Sequence, residues 1–486
     1  MKKILIFIAV FVFVFSSACT VSALDVAVPY ENYTYSEKDA SVILNPQAYV
    51  PETVIYGTEW EAGKLNKPTD LDTDSNGDLY VLDAGNNRVV VLSDSLNYKF
   101  SFTLCTTDEN QNQIVPSGPR GITVTEELVY ICDTNNARIL VYGKDGSFYK
   151  IVNEPKSKIL GADFVFQPTK VAVDTKGNLY VVSNGTFEGI INMRANGEFV
   201  GFFSSNKVSS SPWDLFWRKF SSTKQRKTME QLIPQDFSSI ELDSDDFFLI
   251  TTYTAQSESM VKKVNQGGVN VIRANSNIAI TGDQRKVSSG SLSGNSSFID
   301  ISSGPYKIYA CLDRTRGKVF CYNNEGYLLY SFGTLASQIG GFSAPVAISY
   351  LNNERIAVLD GENSSITVFN PTEYGKTINM GVERYNYLDY ETAAQYWKKV
   401  LEYNRNYQLA QDMIGRYYYS GDDFENAMYY FKASNNHDMY SAAKEAKRSA
   451  WIYSNSWIII VIVVIIIAAF MSSGITAIIK KRINKK

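Results

Sequence analysis

A motif of about fifty residues recurs along the chain, and a repeat of that period restricts the fold more than any other feature. The first copy runs from Leu65 and Pro68 through Leu79-Tyr80-Val81-Leu82-Asp83 to Arg88. The second runs from Gly118 and Pro119 through Asp133 to Arg138, and the third from Gln167 and Pro168 to Ser183. Weaker copies begin at Pro234, near Phe298 and at Pro345, so the starts fall at 68, 119, 168, 234, 298 and 345. Each copy reads as short alternating strands of Val, Ile and Tyr, divided by Gly, Asp and Asn turns. Four strands in about fifty residues make one propeller blade. Six copies make a closed ring, so a mainly β, six-bladed β-propeller is expected.

The run Pro…Asp…Gly-Asn-x-Arg-Val, clearest in the first two copies, resembles the NHL-repeat propellers. The third copy departs from it with Ser183 in place of Asp, and the fourth ends in Thr251-Thr252-Tyr253. The last copy stops after three strands, at Ile366–Asn370, while Pro51–Gly57 ahead of the first copy resembles the fourth strand Tyr327–Gly333. A strand near 52–57 is therefore expected to complete the last blade and hide both open sheet edges. The NHL-like propeller is assigned to residues 24–371, with an insertion at 204–232.

After Pro371 the apolar period becomes helical. Gly381 and Gly415 stand 34 residues apart, as do Tyr390 and Phe424, Ala393 and Ala427, and Trp397 and Phe431. This register resembles tetratricopeptide (TPR) repeats. A small α-helical TPR-like domain over 372–454 is expected, two repeats capped by a helix at Asp438–Tyr453. The resemblance implies either a docking module for a peptide or protein, or a rigid spacer.

The ends carry targeting signals. Residues 1–23 read as a signal peptide: Lys2 and Lys3, an apolar run, then Val21-Ser22-Ala23 as the cleavage site. A lipoprotein reading through Cys19 is the rival, and it lacks the usual Leu three residues earlier. Residues 457–479 hold no charge, enough to cross a hydrocarbon core of about 30 Å as one transmembrane helix. A basic tail follows at 480–486, which sets the C-terminus in the cytoplasm. The expected topology is a type I single-pass plasma-membrane protein with an extracellular body.

Charge and composition exclude several functions. The seven positive charges at the two ends leave the body at −10 out of an overall −3. An acidic body does not suit nucleic acid, whose phosphates demand a basic face. The single histidine, His437, excludes chemistry that needs two imidazoles. Cys311 and Cys321 flank a short turn, and spacing leaves a bridge between them open. No cofactor is expected.

Inner-strand starts at the channel mouth carry Asp70, Arg120, Lys170, Asp236 and Asp300. Such a ring of acids and bases either holds a polar ligand or forms a solvated funnel. Asp72, Asp74 and Asn76, with Asp83 in the twelfth place, mimic the oxygen spacing of an EF-hand-type calcium loop. A strand rather than a helix follows, so the segment is read as a blade's first turn and no metal is assigned. Asp83 with Arg88, and Asp133 with Arg138, recur at one place in two blades and are read as turn-closing bonds. Within the insertion, Trp213, Phe216, Trp217 and Phe220 fall on one face of a helix. Basic residues surround them, which marks a contact with the propeller, a partner or a membrane surface.

These features together predict a membrane-anchored extracytoplasmic binding or scaffold protein that recognises a protein or glycan-type ligand, with no catalysis. The alternatives are an accessory subunit of a membrane solute or glycan transporter, and a calcium-dependent lactonase-like propeller enzyme. Lyase-type propellers depend on histidines, which residues 24–371 do not contain.

Overall fold

Short strands build the ring, with the second strand of most blades buried along its whole length. The computed structural model describes residues 28–107, 111–160, 164–186, 188–204, 236–253, 259–272, 280–285 and 293–484. The expected signal peptide and the Trp213–Phe220 face lie outside the described residues, as does nearly all of the 204–232 insertion.

The chain opens with a hairpin of β1 (Asn32–Tyr35) and β2 (Val42–Asn45), followed by β3 (Tyr49–Ile55). Six antiparallel sheets then follow in sequence order, with inner strands at Asp70–Thr73, Gly121–Val124, Pro168–Val173, Phe237–Leu242, Phe298–Ser303 and Pro345–Tyr350. Each sheet is one blade, running outward from the channel. Three strands are described in blade four, and four in each of the others.

The period-two rule explains how blades stack. In Leu79–Asp83, the second strand of blade one, every residue is buried. Leu79 and Val81 pack toward blade six with Ala357 and Leu359. Tyr80 and Leu82 face the other way, onto Ile122, Ile131 and Leu140 of blade two. Both sheet faces are core, so the second strands read as continuous apolar runs.

The recurring aspartate anchors each blade's turn. Asp83 Oδ1 accepts the Asn66 N–H at 2.7 Å, and its Oδ2 pairs with Arg88 Nε at 2.7 Å. Asp133 repeats this with Ser117 N–H and Arg138, both at 2.7 Å. Asp313 and Asp360 take the Ser297 and Ser343 N–H groups. Ser183 keeps the bond, accepting the Gln167 N–H at 2.9 Å. These residues tie each incoming loop to its own blade.

The last blade is completed from the N-terminus. β3 pairs antiparallel with Ser365–Pro371, with Ile55 opposite Ile366 and Tyr49 opposite Pro371. The closing strand thus starts three residues before the expected 52–57 stretch and stops at Ile55. The β1–β2 hairpin, which carries no repeat signal, lies against the outer strand of blade five, where Asn32 Oδ1 accepts the Ser331 N–H at 3.0 Å.

Cys311 stands opposite Phe320, and Cys321 opposite Ala310. The two therefore project from opposite faces of blade five, and both are free thiols. The bridge that spacing left open is excluded by the register.

The helical region comprises α1 (Glu373–Asn386), α2 (Tyr390–Tyr403), α3 (Gln408–Ser420), α4 (Phe424–Ala433), α5 (His437–Ser454) and α6 (Ser456–Ile483). Its 34-residue period is visible in the geometry. Asp389 caps α2 and Asp423 caps α4 through the same bond to the third residue on. Gly381 lets Trp397 approach and Gly415 lets Phe431 approach: a Cβ would sit 2.8 and 2.7 Å from those rings. Within α6, Ser456–Lys480 is long and apolar enough to cross a membrane.

Propeller and helices share one core. Ile378, Val382 and Trp397 join Tyr330, Phe332 and Phe369. Tyr49 is fully buried there, stacked on Phe332 at 4.9 Å, with its hydroxyl donating to the Glu354 carbonyl at 2.8 Å. Tyr49→Ala is expected to cost about 3–5 kcal/mol, read as a lowered denaturation midpoint of the full chain in detergent. A shift below about 1 kcal/mol contradicts this placement.

Candidate functional site: the propeller channel

An inner strand pairs on one side only, and its other edge faces the channel with unmet N–H groups. This chain meets several of them with side chains from the neighbouring blade. Asp70 and Asp72 lie two residues apart on one face of the first inner strand. Asp70 Oδ2 accepts the Ile122 N–H at 2.8 Å, and Asp72 Oδ2 accepts the Val124 N–H at 2.7 Å. In blade five, Asp300 and Ser302 accept from Ile348 and Tyr350 at 2.9 and 3.1 Å. Glu241 of blade four accepts the Ser303 N–H at 2.8 Å. The Thr69 hydroxyl donates to the Pro119 carbonyl, and that of Thr123 to the Val171 carbonyl.

Lys170 sits at the centre. Its ammonium lies 2.6 Å from Asp70 and 2.8 Å from Asp300, bridging blades one, three and five across the ring. The Ser239 hydroxyl donates to Asp300 at 2.7 Å. Burial opposes the Lys170 charge, yet Asp300 and Asp70 outweigh it and hold the amine above its ordinary value. Burial drives Asp70 up to about 7, against the attraction of Lys170. Asp72 rises to about 6 through burial, against the N–H groups of Val124 and Thr73. Burial, then the neighbouring Asp72, also pushes Glu241 up. From this cluster a cavity of about 560 Å³ runs along the channel, its polar lining including Asp72, Asp174, Glu241 and Lys170.

Three of the five expected mouth residues, Asp70, Lys170 and Asp300, come together in this ion cluster. Arg120 and Asp236 do not. They stay at the inner-strand starts, where with Arg314 they act on Tyr253, whose hydroxyl is raised by burial. Asp72, Ser239 and Glu241 are channel residues that the strand starts alone do not reveal. Their signal is the i, i+2 spacing from Asp70 and along the fourth inner strand.

The calcium-loop spacing does not become a cation cage. Asp72 turns into the channel, whereas Asp74 Oδ1 folds back to accept the Asn76 and Asp78 N–H groups at 2.9 Å each. Lys144 pairs with the other Asp74 oxygen. Among the described residues, no group of three or more His, Cys, Asp or Glu side chains is placed to hold a metal.

With this geometry in view, the NHL repeat model matches residues 65–92, the segment that carries Asp83 and Arg88. No curated protein matches in sequence. Among solved structures, the chain is similar to a streptogramin B lyase at 11% identity, over 67% of this chain and 98% of that one, with a TM-score of 0.39. A catalytically inactive virginiamycin B lyase from Staphylococcus aureus, with quinupristin, matches at 14% identity over 69% and 86%, TM-score 0.37. The extracellular domain of a hybrid two-component system from Bacteroides thetaiotaomicron matches at 12% identity over 70% and 40%, TM-score 0.37. None of these likenesses carries an activity over to this chain.

Two outcomes test the channel. Lys170→Met leaves Asp70 and Asp300 facing each other without a cation, and is expected to lose about 3–5 kcal/mol of stability. An unchanged denaturation midpoint contradicts the bridging role. The folded chain holds protons on Asp70, Asp72 and Glu241 where the unfolded chain has released them. The share from Asp70 and Asp72 is complete below about pH 4 and is lost as pH rises through about 6 to 7, and the share from Glu241 is likewise lost on the alkaline side of its ordinary range. Glu241→Gln keeps the acceptor for Ser303 and removes one titrating group. Its midpoint is expected to exceed that of the wild type at pH 8 and to match it at pH 4; a lower midpoint at pH 8 contradicts the assignment.

Proposed function

We propose that the chain is a membrane-anchored extracytoplasmic binding or scaffold protein whose propeller recognises a protein or glycan-type ligand and performs no catalysis. The observation that carries this reading is the state of the channel's reactive groups. The Lys170 ammonium is held between two carboxylates that keep it protonated, so it offers no lone pair to act as nucleophile or base. Asp70, Asp72, Asp300 and Glu241 each accept a backbone N–H from an adjacent blade. The channel is built as a laced, rigid ring, the kind of preorganised surface that lowers the cost of binding.

The anchoring half of the reading rests on the C-terminal helices. Trp451, Tyr453 and Trp457 are exposed around the junction of α5 and α6, as an interfacial aromatic belt requires. The apolar stretch Ser456–Lys480 follows, and the basic residues Lys480–Lys486 complete the order expected of an anchor with its C-terminus inside. The helical hairpins would then hold the ring off the bilayer as a TPR-like spacer or docking module.

Proteinase K added to intact cells should remove the propeller while a C-terminal tag survives on a membrane-bound fragment of a few kilodaltons. Loss of the tag with the propeller protected overturns the orientation. Turnover of any ligand that the purified full chain binds overturns the non-catalytic half.

A further inference from the structure

The β1–β2 hairpin, the turn before the outer strand of blade five, and helices α3 and α5 enclose a second cavity of about 360 Å³. It shares no lining residue with the channel. Three carboxylic acids line it: Glu37, Asp412 and Asp438.

Their situations differ. Asp412 is fully engaged, accepting from Asn436 Nδ2 at 2.7 Å and Arg416 Nε at 2.8 Å. Arg416 is itself shared with Glu325, Tyr385 and Tyr327, so it is not available to the cavity. Asp438 stands exposed in the first turn of α5. Glu37 is half-buried. Its backbone N–H donates to Gln408 Oε1 at 2.8 Å, but its carboxylate has no hydrogen bond or ion pair among the described residues. Burial, then the charge of Asp412, raises its carboxyl above the ordinary value.

A second group points the same way. Tyr322 is only 3% exposed, yet it lines this cavity, and its hydroxyl has no hydrogen-bond partner among the described residues. Neither the Tyr322 hydroxyl nor the Glu37 carboxylate is engaged by a partner among the described residues, so both open onto the cavity with bonding capacity left for a ligand. The walls add Tyr327, Tyr407 and Leu409, surfaces against which an apolar stem or a cation packs well.

We propose that this cavity binds an organic cation through its ammonium or guanidinium group, with Glu37 as counter-ion and the Tyr322 hydroxyl as an orienting acceptor. Charge decides the class: three acids line the cavity against one histidine, His437, no Lys or Arg lines it, and Arg416 is already matched by Asp412 and Glu325. The volume falls within the range of small-molecule sites, about 300–1,000 Å³, which admits a free diamine-type molecule or one arginine side chain of a partner. The site is independent of the channel and does not rest on the reading proposed for it.

Isothermal titration calorimetry on the full chain in detergent tests this, with agmatine as the free cation and acetyl-Gly-Arg-Gly-amide as the peptide-borne one. One-to-one binding is expected, and the tighter of the two probes identifies the source. Glu37→Gln should weaken it about tenfold or more, since a lost charge-assisted hydrogen bond is worth at least about 1.4 kcal/mol. Tyr322→Phe, which keeps the ring in place, should weaken it several-fold, while Asp72→Asn in the channel should leave it unchanged. Absence of saturable heat from both probes overturns the proposal. So does an affinity that neither Glu37→Gln nor Tyr322→Phe lowers.

Discussion

The pairing of Tyr49–Ile55 with Ser365–Pro371 closes the ring, and the helical region is seated on the same contact. Residues more than three hundred positions apart meet here, so loop entropy opposes the closure and buried side chains must offset it. Ile55 joins the core between blades six and one, while Tyr49 fills the core between blades five and six. Immediately before β3, the Ala48 carbonyl accepts the Thr372 N–H at 2.9 Å. The Thr372 hydroxyl, which also caps α1, donates to the Gln47 carbonyl at 2.7 Å. Gly375 in the first turn of α1 comes so near that a Cβ would lie 2.2 Å from the Ala48 carbonyl. Helix α1 therefore docks onto a surface that exists only once β3 is in place.

A closed ring leaves another problem at its centre, where six inner strands turn a bare edge toward the channel. Carboxylates from adjacent blades answer it, and this explains an acidic channel without calling on a substrate. Clustered acids repel one another, and among the described residues Lys170 is the cation that pairs with Asp70 and Asp300 together. Burial still leaves Asp70 and Asp72 titrating near neutrality. Stability of the ring is thereby coupled to pH between about 4 and 7.

Much of this was legible in the sequence because a repeat reports the same physical need several times. Asp83 and Asp133 stand at one position of two copies, and in each the carboxylate ties an incoming loop to its blade. Ser183 performs the task with a hydroxyl, which is why the third copy tolerates the change. Asp70, Lys170 and Asp300 were found from their place at the strand starts, but Arg120 and Asp236 share that place and remain at the rim. Asp72 was drawn into a calcium-loop pattern because sequence spacing does not show that neighbouring carboxylates turn opposite ways. Cys311 and Cys321 looked bridgeable for a similar reason, until strand register set them on opposite faces. The β1–β2 hairpin and the cavity beside it gave no signal at all: Glu37 and Asp412 come together only through the tertiary fold.

Ring closure is tested most directly by hydrogen–deuterium exchange of the full chain, followed on fragments covering residues 49–55 and 365–371. If β3 is an integral strand of blade six, both fragments are protected as strongly as Lys318–Tyr322 of blade five. They then lose that protection together, in the same cooperative step as the ring. Exchange of residues 49–55 orders of magnitude faster than 365–371, with the other blades still protected, would contradict closure by the N-terminal strand.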